Sequence, residues 1–70
     1  MTVKALKSAI RIAGGQTALA DAIGKTQGHV SKWLERGYIP AESVLPIEKA
    51  TGVSRHDLRP DLYPREGEAA

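Results

Sequence analysis

Apolar residues recur along this chain at helical intervals, in short runs punctuated by glycine. In residues 3–13, Leu6, Ala9, Ile10 and Ala13 fall at i, i+3, i+4 and i+7, one stripe of an amphipathic helix. Lys4, Lys7 and Arg11 occupy another face, and their simplest reading is a solvated side that keeps the surface soluble. Gly14-Gly15 follows a helix and lacks the rest of any phosphate-binding fingerprint, so it reads as a helix breaker. A second helix is predicted from about Gln16 to Ile23, with Leu19, Ala20 and Ile23 inward. The smallness of Ala20 lets a neighbouring helix approach closely. Gly24 then supplies the positive φ of a sharp turn. Thr26 suits the N-cap of a third helix, Gln27 to Arg36, whose Val30, Trp33 and Leu34 should face the core.

The second half continues the helical pattern. After Tyr38-Ile39, Pro40 pre-sets a helix over roughly Ala41 to Thr51, with Val44, Ile47 and Ala50 as its inner stripe. Pro46 leaves two alternatives: a helix bent at that point, or a later start with Ser43 as the N-cap and Pro46 in the first turn. Gly52 stops the helix and Val53 returns to the core. Ser54-Arg55-His56-Asp57 resembles a capping box that opens one short turn and buries Leu58, with Pro60 ending it. No stretch shows strand alternation or a hairpin signal. The fold class expected is all-α: a compact bundle of about five short helices containing a helix-turn-helix. Residues 1–63 form the domain, and residues 64–70 a disordered C-terminal tail.

Composition narrows the class of protein. Seventy residues support a single small core. Trp33, Tyr38 and Tyr63 are the only aromatics, so that core must be aliphatic. With no cysteine there is no disulfide framework or thiolate metal site, and nothing points to an oxidising compartment. Lys4, Lys7 and Arg11 interrupt the N-terminal segment too regularly for a signal peptide or membrane span, so a cytoplasmic location is expected. The net charge of +2 hides an asymmetry. Residues 1–40 carry six basic against two acidic side chains, and residues 41–70 four against six. The basic half holds the helix-turn-helix, which suggests a polyanion partner on one face; an ordinary solvated surface with uneven charges is the equal alternative from charge by itself.

The run QTALADAIGKTQGHVSKWLE resembles the helix-turn-helix of phage Cro and repressor proteins. It has small Ala20, Gly24 four residues on, then Val30 and Trp33, with Leu19 and Ile23 apolar. The flanking IPAE and LRPDL segments are similar to those of small prophage regulators of the Cro/YdaS type, and the likeness covers about residues 3–63. The resemblance implies a lambda-repressor-like bundle and either an operator-binding repressor or a toxin-linked antitoxin. Some Cro proteins end in a β-hairpin; the helical spacing and capping of this C-terminal half predict the all-α version.

A recognition helix meets base edges with its N-terminal turn. Thr26, Gln27, Gly28, Ser31 and Lys32 form that exposed edge, with Gln27 suited to adenine and Lys32 to guanine or a phosphate. Gly28 either permits close approach to a partner backbone or is a plain first-turn glycine. Gln16, at the start of the second helix, is the leading phosphate contact. Thr17, Lys25, His29 and Arg36 are further phosphate candidates, although His29 also reads as an ordinary surface histidine. The partner expected is double-stranded operator DNA, pseudo-palindromic and bound by a homodimer. A toxin protein is the rival partner, motivated by the acidic second half. Tyr38, Ile39, Leu62 and Tyr63 either form a small dimer interface or pack onto their own core. No cofactor, metal or catalytic role is expected: Ser54, His56 and Asp57 crowd one turn without an oxyanion site, and the two histidines have no companion ligands.

Overall fold

The computed structural model describes residues 2–64, and the expected disordered tail lies, beyond Pro64, outside the described residues. Five helices follow in order: α1 (Thr2–Ala13), α2 (Gln16–Ile23), α3 (Gln27–Arg36), α4 (Ala41–Thr51) and α5 (Arg55–Leu58). No strand occurs among the described residues. Each apolar stripe is too short to be buried alone, so the helices close on one another. Leu6, Leu19, Val30, Ile39, Val44, Ile47 and Leu58 are fully buried, one or two from each helix and one from the α3–α4 loop. Trp33 joins them, and Ile10, Ala13, Ile23, Leu34 and Val53 pack around the edge. Ala20 is buried where α2 meets its neighbours, as its size requires. Gly24 sits at φ 74°, where a Cβ would be strained, and its N–H returns to Ala20 and Asp21 carbonyls to close α2.

In the second half one expectation is corrected and two open alternatives are decided. Ala50 is exposed, and Ser43 is buried instead. At about 100° per residue, Ala50 lies roughly 120° from Val44, whereas Thr51 comes within about 20° of it. Thr51 is half-buried, and its hydroxyl donates to the Ile47 carbonyl at 2.8 Å. Ser43 is not a cap: α4 starts at Ala41 with Pro46 inside it, and the Ser43 N–H donates to the Pro40 carbonyl at 3.0 Å. Pro46 and Glu42 are both exposed, so the carbonyl that proline leaves without its N–H partner can turn to water. Ile39 is core rather than interface, and Tyr63 is half-buried against that core. Tyr38 and Leu62 stay exposed.

A polar clasp holds the chain after α5. The Arg59 guanidinium donates to the Ile39 carbonyl and bridges both Asp61 oxygens, at 2.9 and 2.6 Å. This two-point bond holds the Asp61 carboxyl down at about 2 and raises the Arg59 pKa further above its ordinary value. Ser54 caps α5 by accepting from the His56 N–H at 3.1 Å. His56 Nδ1 lies 2.7 Å from the Tyr63 carbonyl oxygen, which calls for a proton on that nitrogen.

Candidate nucleic-acid interface

The first residues of α2 and α3 are both glutamine, and the Gly24 turn brings them together. Gln27 Nε2 donates to Gln16 Oε1 at 2.7 Å, joining the starts of the two helices across eleven residues of chain. That bond leaves one N–H and the carbonyl oxygen of the exposed Gln27 amide, and both N–H groups of the half-buried Gln16, for other partners. The first backbone N–H groups of each helix have no intrahelical acceptor and carry the positive end of its dipole, so anions are favoured there. Sequence reasoning placed these two residues separately and missed their pairing. The available signal was a glutamine at the first position of each helix on either side of a one-glycine turn.

Thr26 takes extended N-cap geometry at φ −107° and ψ 160°. Opposite it, His29 fills the third helical position, where a capping box ordinarily has Glu or Gln. Its Nδ1 accepts from the Thr26 N–H at 3.3 Å and lies 2.8 Å from the Thr26 hydroxyl oxygen. Accepting at Nδ1 puts the proton of the neutral ring on Nε2, the only ring nitrogen left for a phosphate. The S/T-x-x-E/Q spacing, read with histidine in the last place, would have revealed this. Gly28 is helical, and a Cβ built there meets only the Thr26 hydroxyl at 3.7 Å, so packing within the chain does not demand a glycine.

Ser31, Lys32, Thr17 and Arg36 are exposed as expected. Lys25 is half-buried, and its ammonium sits 4.0 Å from Glu42, so it is partly engaged by α4. Val30 and Trp33 are buried behind the polar face and support it from the core. The structure therefore joins Gln16 to Gln27 and Thr26 to His29, two separate pairs at the start of α3. Ser31, Lys32 and Arg36 follow along α3, while Lys25 is drawn toward α4. No described helix is long and apolar enough to cross a membrane.

The family model described as bacterial toxin YdaS matches residues 6–66. Neither the curated proteins nor the solved structures contain a significant match to the chain. With α1 to α5 all lying inside the matched span but for the first turn of α1, the chain belongs to the YdaS family, a prophage-associated family.

Proposed function

We propose that this protein is a sequence-specific DNA-binding transcriptional regulator of the Cro type, working in the cytoplasm with α3 in the major groove. The observation that carries the reading is the Gln16–Gln27 bond. It fixes the Gln27 amide at the leading edge of α3 with one donor and one acceptor free, the pattern that pairs with adenine N6 and N7. Gln16, on the same bond, turns its donors toward the phosphate beside it, with the dipole of α2 behind them. Thr26, Gly28, Ser31 and Lys32 complete the base-reading edge, and Gly28 lets the groove floor come close. Thr17, Lys25, His29 and Arg36 serve phosphates. Occupying an operator would exclude polymerase, with two copies on half-sites about 34 Å apart.

The reading includes no catalytic step or cofactor. Ser54 and His56 are supported instead as structural groups by their bonds to the His56 N–H and the Tyr63 carbonyl. The test is binding of a duplex from the chain's own upstream region against a scrambled duplex. Nanomolar binding with steep salt dependence is expected for the first, and equal affinity for both would sink the proposal.

A second reading, from a different class, is an antitoxin that acts mainly by holding a partner protein. The family's description supports a toxin–antitoxin setting, although it names a toxin rather than an antitoxin. Exposed Tyr38 and Leu62 offer a contact surface away from the glutamine pair. Retention of a neighbour-encoded protein by this chain, lost on Tyr38→Ser with Leu62→Ser while operator binding persists, would favour it.

A further inference from the structure

We propose that the outward face of α1 is a second phosphate-binding surface, on which Lys4, Lys7 and Arg11 hold the DNA backbone running past the helix-turn-helix. This extends the DNA-binding reading, and rests on it, by giving a role to cations which that reading leaves idle. The three side chains are exposed and line one shallow, open groove with Val3 and Ser8. Their spacings of three and four residues separate them by roughly 4.5 and 6 Å along the helix axis. Phosphates of one strand advance about 3.4 Å each along the duplex, so long side chains in such a row can each reach one.

Position and charge balance both point the same way. At its C-terminal end α1 carries Arg11 in the last turn, and only Gly14-Gly15 separates it from Gln16 and the start of α2. At its other end Val3 packs against Gly37, its Cγ2 3.7 Å from where a Cβ on that residue would stand, directly after Arg36. The helix that carries the basic row thus adjoins the start of α2 at one end and the end of α3 at the other, each beside an expected phosphate contact. Ion pairs among the described residues engage Lys25, Arg55 and Arg59, and leave Lys4, Lys7 and Arg11 uncompensated. Lys7 and Arg11 are four residues apart and repel one another on a bare helix, a repulsion that a polyanion relieves. An acidic protein would meet the same charges. Continuity with the helix termini that favour phosphates selects nucleic acid instead.

The test measures affinity of the full chain for the upstream duplex and a scrambled duplex across a salt series, in the wild type and in Lys4→Gln/Lys7→Gln/Arg11→Gln. Glutamine keeps helix propensity, and a circular-dichroism melt confirms that the variant folds. The expected result is weaker binding to both duplexes with an unchanged ratio between them. The log–log salt slope should become shallower by roughly 2 to 3, at about 0.9 per lost phosphate contact. Lys49→Gln, which removes one positive charge from α4, should leave the slope in place. A triple variant with the wild-type slope overturns the proposal, as does Lys49→Gln costing as much per charge. A chain that binds no DNA overturns the functional reading and this one together. A chain that reads its operator through Gln27 but keeps its slope in the triple variant overturns the α1 surface alone.

Discussion

The helix-turn-helix, residues 16–36, and the C-terminal half, residues 41–63, are both helical and both rich in polar side chains, yet they spend them differently. In the C-terminal half several of the charged and polar groups bond within the chain. Arg59 binds Asp61 and the Ile39 carbonyl, Glu48 accepts from the Arg55 N–H at 2.8 Å, and His56 reaches the Tyr63 carbonyl. Arg55 and Arg59 also lie over the Tyr63 and Tyr38 rings, at 5.8 and 5.9 Å. In the helix-turn-helix, the Gln16–Gln27 and Thr26–His29 bonds organise a surface and leave part of each side chain free to bind. Polar content therefore says little about function until one knows whose hydrogen bonds it satisfies.

The largest expected effect tests what the two halves share. Trp33→Ala removes the only large aromatic of the core, just behind the polar face of α3. It should cost about 3–5 kcal/mol by denaturant melt, enough to unfold much of so small a domain. Retention of a cooperative melt near the wild-type midpoint would mean that neither half depends on Trp33.

Gln27→Ala should separate binding from folding. It is expected to lose about 1–3 kcal/mol of discrimination at one base position while the melting temperature stays put. An unchanged base preference would remove Gln27 from the reading set and, with it, the contrast between the halves.

The His29 cap predicts a smaller effect on stability. His29→Ala should destabilise by about 0.5–2 kcal/mol through loss of the capping bond to Thr26, and His29→Gln should recover most of that, because glutamine serves the same position. Equal losses in both variants would show that the ring acts otherwise.

The smallest effect belongs to the clasp. The folded Asp61 carboxyl lies at about 2, below its ordinary value of 3.8. Its contribution to stability is therefore full above about pH 4 and is lost as pH falls through 2. Asp61→Asn should flatten that part of a melting-temperature profile and leave operator preference unchanged. A profile identical to the wild type would place the acid sensitivity elsewhere.

The helices of the first half were legible because each rule there is local. Periodicity set the faces, and Gly24 and Thr26 marked the turn and the cap within a few residues. The bounds of α2, α3 and α4 match their expected spans. The face of α4 was read less well, since Val44, Ile47 and Ala50 suggest a stripe that drifts off the core with each step. Ile39 could equally have formed an interface or packed onto its own core, and the structure buries it fully.

By itself, the sequence determined five helices, an aliphatic core and the placing of basic charge in the half that carries the turn. These follow from 3.6-residue periodicity, glycine conformations and side-chain chemistry, which act over one or two turns of chain. The tertiary structure alone decided which polar groups distant in sequence meet. It joined Gln16 to Gln27 and locked Arg59 onto the Ile39 carbonyl, twenty residues away. Such pairings depend on helix packing and chain reversal, which no local spacing encodes.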